Sequence, residues 1–351
     1  MNWQIERHRL VFHKEAGTSR GVLRDKDHYL LLLAHPSGRK AIGEAAPLPL
    51  LSIDDVPSFE DIFTHFLTTA QLQQYEPQSE EELLSFVQKA IPAEYPTMRF
   101  ALEMALIDYY KGAQRCWFDS PFVSGLQAIR INGLVWMGSP AYMQQQIEEK
   151  LSLGFSCLKM KIGAIDFEEE YKLLQNIRKQ YDASKIVLRV DANGAFLPEK
   201  ATYYLEKLAL LEIHSIEQPI AVRKHEAMKA LCQANILPIA LDEELIGVYE
   251  SEAQNELLNH LKPQYIILKP TLLGGFAATR QWIQIAESLS IGWWVTSALE
   301  SNIGLEAIAQ FTATFPYNTI PQGLGTGLLY KNNFESALQL KGENLWRIAT
   351  S

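Results

Sequence analysis

Residues 1 to about 50 alternate apolar and polar side chains with the two-residue period of strands, interrupted by a polar stretch from His13 to Arg20. Within them Tyr29-Leu30-Leu31-Leu32-Leu33 is a continuous apolar run, the pattern of a buried strand. From Asp54 to about Tyr110 the period lengthens to that of a helix. Arg99–Lys111 is its clearest piece, with Phe100, Met104 and Ile107 four and three residues apart. Strands followed by helices without alternation predict an α+β domain over residues 1–125, closing near Gly125.

Beyond it the rhythm changes. Ile129–Val135, Cys157–Ile162, Ile186–Val190, His214–Glu217, Leu237–Leu241, Tyr265–Leu268, Trp293–Thr296 and Asn318–Gln322 each read as a short apolar strand. Amphipathic stretches such as Phe167–Tyr181, Lys200–Leu211 and Ala277–Leu289 separate them. Eight strand-plus-helix units predict an α/β fold, a (β/α)8-type barrel over residues 126–327. The first domain is its α+β N-terminal cap, completed by the tail 328–351 returning to it. A doubly wound sheet is the alternative, but it would carry a Gly-rich phosphate turn near its start, and none is present.

Bulk properties narrow the partners. With 41 acidic against 32 basic residues the net charge is −9, and no basic cluster offers a nucleic-acid surface. Cys116, Cys157 and Cys232 are scattered without paired spacing, which excludes a disulfide framework and fits a reducing cytoplasm. The N-terminus is charged from Glu6 onward, and no apolar run approaches the roughly 20 residues of a membrane span. A cytoplasmic, soluble protein acting on a small molecule is expected, with neither nucleic acid nor membrane as partner.

Polar residues end one expected strand after another. Lys161, Asp191, Glu217, Asp242, Lys269 and Ser297 follow at intervals of 30, 26, 25, 27 and 28 residues. That is one β/α unit each time, so the six converge on the carboxyl end of the barrel, where barrel enzymes keep their sites. Two carboxylates about 4 Å apart repel by roughly 4 kcal/mol at an effective dielectric of 20. Three at one mouth call for a bridging cation or for salt-bridge partners. Oxygen ligands without His or Cys suit a hard ion, Mg²⁺ with Mn²⁺ as a substitute, on Asp191, Glu217 and Asp242.

Lys159 and Lys161 are two apart on one strand and so face the same side. A lysine acts as a base only when neutral, which needs its pKa brought down by about 3 units. A second lysine about 6.6 Å away supplies part of that shift, and Lys269 across the mouth is a third cation. The same pair could instead clamp a phosphate. Arg189 and Asn193 share the parity of Asp191 and flank it: Arg189 is a candidate for a substrate carboxylate or for pairing with an acid, Asn193 for hydrogen-bonding in the site. Glu243 and Glu244 are expected around the ligands rather than among them, and His214 and His225 to be structural.

These segments resemble a known family. Lys159-Met160-Lys161-Ile162-Gly163, Arg189-Val190-Asp191-Ala192-Asn193, Ile216-Glu217-Gln218-Pro219, Leu241-Asp242-Glu243 and Leu268-Lys269-Pro270 look like successive strand motifs of the enolase superfamily, in its muconate-lactonising branch. That superfamily pairs a lysine base with Mg²⁺ as a general pattern. Gly43-Glu44-Ala45-Ala46-Pro47-Leu48 and Phe100–Leu106 resemble the branch's capping domain, whose loops, here Glu15–Arg24 and Leu48–Asp55, would close over substrate. Thr296–Asn302 and Gly323-Leu324-Gly325-Thr326-Gly327 resemble segments of the o-succinylbenzoate synthase family, although Gly325 stands where many members carry Asp. Dipeptide epimerases hold an α-ammonium there with Asp-x-Asp; Gly323 and Gly325 supply no such partner.

The resemblance implies a Mg²⁺-dependent hydro-lyase of menaquinone biosynthesis. Lys161 would take the proton alpha to a ring carboxylate, Lys269 would remain a charged partner, and Lys159 would support the enolate oxygen. Ser297 and Gly323 would hold the succinyl carboxylate. The rivals are an N-acylamino acid racemase or dipeptide epimerase of the same branch, and a non-catalytic barrel.

Overall fold

The computed structural model describes residues 1–18 and 21–348. Three antiparallel strands open the chain: β1 (Trp3–Thr18), β2 (Gly21–Ala34) and β3 (Lys40–Ala45), paired in that order. The polar stretch expected to break the first strand does so only locally. Between Val11 and Ala16 the β1–β2 register shifts, and here β1 turns to the tail instead: His13 N–H donates to Leu329 O and Lys331 N–H to Val11 O, both at 2.8 Å. Of Glu15–Arg24, expected as a covering loop, residues 15–18 and 21–24 are strand; Ser19 and Arg20 lie outside the described residues.

Helices α1 (Phe59–Thr69), α2 (Glu80–Ala90) and α3 (Pro96–Tyr110) follow. Pro96 starts α3 at a position where its missing N–H costs nothing. Nearly all of α3 is buried, because it lies between β3 and the barrel. Close approach to β3 requires glycine at 43: a Cβ there would stand 1.9 Å from Ala101 O.

The barrel begins after the two-residue β4 (Ile129–Arg130). Its units are β5 (Gly133–Val135) with α4 (Pro140–Ser152), β6 (Cys157–Lys161) with α5 (Phe167–Gln180), β7 (Val187–Asp191) with α6 (Pro198–Ala209), and β8 (Ser215–Glu217) with α7 (His225–Ala234). Next come β9 (Ile239–Leu241) with α8 (Ser251–Leu261), β10 (Tyr265–Leu268) with α9 (Pro270–Leu273) and α10 (Phe276–Ser288), and β11 (Gly292–Val295) with α11 (Asn302–Thr312). The seven strands β5 to β11 form one parallel sheet in sequential order.

The eighth expected strand, Asn318–Gln322, is not a strand. Gln322 bridges Ile131 and Gly323 bridges Thr296, so this segment closes the sheet between β5 and β11 with few bonds. Pro321 has no N–H to give to a ladder. The chain ends with β12 (Leu338–Lys341) and β13 (Asn344–Arg347), and β13 pairs with β4 rather than with the first sheet. Among the described residues no helix is long and apolar enough to cross a membrane.

The seam between the first sheet and the barrel is polar and buried. Glu44 on β3 accepts from Ser301 N–H (2.8 Å), Gly304 N–H (2.7 Å) and the Ser301 hydroxyl at the start of α11, and pairs with His28 Nδ1 at 2.7 Å. Glu103 on α3 accepts from Phe276 N–H (2.7 Å) and Ala277 N–H (2.9 Å) at the start of α10. Lys26 on β2 donates to Ala298 O (3.1 Å) and Leu299 O (3.0 Å). Helix N-termini collect carboxylates because their first N–H groups have no partner within the helix.

Candidate active site

Strand register assembles the mouth. Lys161 pairs with Asp191 across β6–β7 and Asp191 with Glu217 across β7–β8, so three polar strand ends lie side by side. Lys159 Nζ donates to Glu217 Oε2 at 2.7 Å and lies 3.3 Å from Asp191 Oδ2. Lys161 Nζ is 2.9 Å from the same Asp191 oxygen and donates to Asn193 Oδ1 at 2.7 Å. Lys269 pairs with Asp242. Lysines and carboxylates thus interleave at the strand ends, and Lys159, Lys161, Asp191 and Lys269 line one cavity. Asn193 and Gln218, just past two of these strands, hold positive φ angles of 43° and 37°, backbone strain of the kind found beside functional groups.

The charges set one another. Burial works against the Lys159 ammonium, but Glu217 and Asp191 outweigh it and hold the group above the ordinary lysine range. Lys269 is likewise shifted up, burial being outweighed by Asp242 and Glu243. Asp191, buried, is pulled well below the usual carboxylate range by Lys161 and Lys159. Glu217 goes the other way: burial, then the charges of Asp191 and Asp242, push it up to about 7 against the pull of Lys159. Like-charge lysines were expected to depress one another; the carboxylates between them reverse the direction for Lys159 and Lys269.

Do these residues fit a divalent ion? Among the described residues no three acids stand gathered as a ready-made ligand cluster, because each leans on a lysine. The donors nonetheless suit a hard cation: carboxylate oxygens from adjacent strands, with Glu217 Oε1 buried and lacking a hydrogen-bond partner. A cation among them would offset the repulsion that raises Glu217. The residues fit.

The expected substrate contacts fare differently. Arg189 is fully buried below the mouth, donating to Pro321 O at 2.8 Å with its guanidinium 4.2 Å from the Trp294 ring. It does not line the cavity, since side-chain parity gives the inward face and not the height. Asn193 lines it, but its amide is used on both sides, accepting from Lys161 and donating to Glu243 Oε1 at 3.0 Å. Ser297 also lines it, with its hydroxyl committed: it donates to Glu300 Oε2 (2.7 Å) and accepts from Leu299 N–H (2.9 Å) and Thr326 Oγ1 (2.8 Å). The Gly323 N–H is spent on Val295 O in closing the barrel. Neither Ser297 nor Gly323 therefore has a donor left for a carboxylate.

Glu243 and Glu244 are buried around the ligands, Glu244 accepting from Gln218 Nε2 at 3.0 Å. His214 and His225 lie outside the cavity wall. Leu48 and Leu51, from the expected covering loop, give it an apolar side with Leu134 and Trp136. Asn132, Leu134 and Trp136 also line it without having been singled out from the sequence, and Thr296 lines it with no role assigned beyond its motif. Asn132 had a signal, a lone amide inside an apolar strand.

A parallel barrel whose strand ends interleave lysines and carboxylates defines an enzyme of the β/α-barrel class. The chain belongs to the enolase C-terminal domain-like family, whose model matches residues 142–344. It is 44% identical to the o-succinylbenzoate synthase of Desulfotalea psychrophila, over 97% of this chain and 98% of that one. The crystal structure of MenC from Desulfotalea psychrophila superposes with a TM-score of 0.84 at 40% identity, covering 99% of both chains. A substrate-liganded L-Ala-D/L-Glu epimerase from Bacillus subtilis gives 0.85 at 25% identity, over 99% of this chain and 96% of that one. A dipeptide epimerase from Enterococcus faecalis, complexed with Mg and a dipeptide, gives 0.82 at 21% identity over 99% and 96%, a likeness of fold.

Proposed function

We propose that this chain dehydrates a succinyl-hydroxycyclohexadiene carboxylate to o-succinylbenzoate, a carbon–oxygen lyase reaction of menaquinone biosynthesis in the cytoplasm. One observation carries the reading. Lys159, Lys161, Lys269 and Asp191 line a cavity whose wall at Gly323 and Gly325 has no acid to hold an ammonium. That combination suits a substrate with carboxylates and no amine, and the 44% identity to an o-succinylbenzoate synthase supports it.

In this reading Lys161 Nζ takes the proton from the ring carbon alpha to the carboxylate. The C–H electron pair passes to the carboxylate oxygens and then returns to form a ring double bond as the neighbouring C–O bond breaks. The same ammonium then protonates the departing oxygen, so water leaves, the ring becomes aromatic and the lysine returns to its starting state. One proton and one hydroxide are lost, and nothing is oxidised. Asn193 Oδ1 holds Lys161 in line, and Lys269 stays charged beside Asp242. Lys159 supports the oxygen that gains charge. Asp191, Glu217 and Asp242 would hold Mg²⁺, or Mn²⁺ as a substitute, which when bound would supply positive charge to the substrate carboxylate. The succinyl tail lies along the wall at Gly325, where no side chain stands in the way.

The rival reaction is proton exchange at the alpha carbon of an acylamino acid or dipeptide, using Lys161 and Lys269 as a pair. The test is 2-succinylbenzoate formation with and without Mg²⁺ on parent and Lys161→Ala, run beside deuterium exchange into acylamino acids. Metal-dependent product from the parent, lost in the variant, is expected. Exchange without dehydration would refute the reading.

A further inference from the structure

Two polar side chains in the cavity wall have nothing in the protein to bond. Asn132 and Thr296 are each 3% exposed, and Asn132 Oδ1 and Thr296 Oγ1 are both buried without a hydrogen-bond partner. Folded proteins rarely leave such atoms unpaired without a use. Both residues line the cavity that holds Lys159 and Lys161.

Their placement is specific. They flank the closing segment, Asn132 just before β5 and Thr296 just after β11: Asn132 N–H donates to Gln322 O at 2.9 Å, and Thr296 bridges Gly323. The segment between them bears no side chain at 323, where a Cβ would come within 2.6 Å of Thr296 Cγ2. The result is a notch with one amide and one hydroxyl on its two sides. The neighbouring hydroxyls of Ser297 and Thr326 are bonded to one another, and Ser297 also to Glu300. Asn132 and Thr296 are therefore the side chains left over.

We infer that Asn132 and Thr296 are specificity-determining residues that hold the ketone oxygen of the substrate's succinyl arm. The inference rests on the dehydration proposed above and names a contact within it. Two uncharged groups, each able to give one hydrogen bond, match an uncharged carbonyl oxygen, whereas a carboxylate draws its stronger bonds from charged donors. A half-turn of the Asn132 amide presents Nδ2 in place of Oδ1. The ketone is attached to the ring beside the reacting carbon, so its holder must stand next to the lysines. Asn132 and Thr296 line the same cavity as Lys159 and Lys161.

The test compares two ligands on the Mg²⁺-loaded protein by calorimetry: 2-succinylbenzoate, and 2-(3-carboxypropyl)benzoate, the same diacid with the ketone reduced to a methylene. The parent should prefer the ketone by roughly tenfold, the scale of one or two neutral hydrogen bonds. Asn132→Leu and Thr296→Val should each remove most of that preference while binding the methylene ligand within about twofold of the parent. Thr296→Ser, which keeps the hydroxyl, should keep the preference. A parent indifferent to the ketone, variants that retain the preference, or equal losses for both ligands would each overturn the inference. A parent that forms no 2-succinylbenzoate from its substrate would instead overturn the reaction reading itself.

Discussion

The barrel mouth and the seam beneath the first sheet both bury carboxylates, and they treat them oppositely. At the seam Glu44 receives two backbone N–H groups, a hydroxyl and His28, and despite burial it is pulled down to about 2. At the mouth Glu217 receives one lysine, leaves Oε1 without a partner and is pushed up to about 7. Glu103, also at the seam but with two backbone donors and only the charge of Arg280 to pull it down, is pushed by burial up to about 7 as well. Burial alone does not decide the state of a carboxyl group. The number of fixed donors does, and a site meant for a ligand stops short of filling its own positions.

The comparison can be broken most severely at the mouth. Lys161→Ala should lower kcat by about 10³-fold, the scale of a lost general base, while the circular dichroism spectrum stays that of the parent. At the seam Glu44→Ala leaves Ser301, Gly304 and His28 without their acceptor. Urea denaturation should show a loss of about 3–5 kcal/mol; less than about 1 kcal/mol would mean that the seam does not depend on it.

Glu103 sharpens the contrast through pH. Its pKa is raised from 4.5 to about 7, so between those values the folded state holds a proton that the unfolded state has released. Its stabilising contribution is complete below the unfolded value and is lost as pH rises through about 7. The stability difference between the parent and Glu103→Gln should therefore drift against the parent by about 3 kcal/mol across that window, measured by denaturation at several pH values. Glu44 has the opposite sign, its contribution being lost as pH falls through about 2. Smallest is the effect of Glu217→Gln: Mg²⁺ titration should show at least tenfold weaker binding, with less stability lost than for Glu44→Ala. Chelation of the parent should abolish activity, and added Mg²⁺ should restore it.

The sequence made the mouth legible because barrel geometry converts chain position into space. Intervals of 25 to 30 residues put Lys161, Asp191, Glu217, Asp242 and Lys269 at equivalent strand ends. It could not show which of these groups are already engaged. Ser297 falls on the same series, yet its bonds to Glu300, Leu299 and Thr326 come from loop geometry that no spacing encodes. Arg189 shares the parity of Asp191 but sits one layer lower, against Trp294. The eighth strand was misread because Asn318–Gln322 follows the spacing of the other units, while Pro321 lacks an N–H and leaves the ladder to Gln322 and Gly323. Lys26, Glu44 and Glu103 could not be read as seam residues, since their partners lie roughly 170 to 270 positions away.

The guanidinium of Arg189, stacked on Trp294 and tied to the carbonyl of Pro321, acts as a stopper in the bottom of the barrel. With the base packed in this way, the cavity wall is shared between the barrel and Leu48 and Leu51 of the first domain, so whatever occupies it touches both parts of the chain.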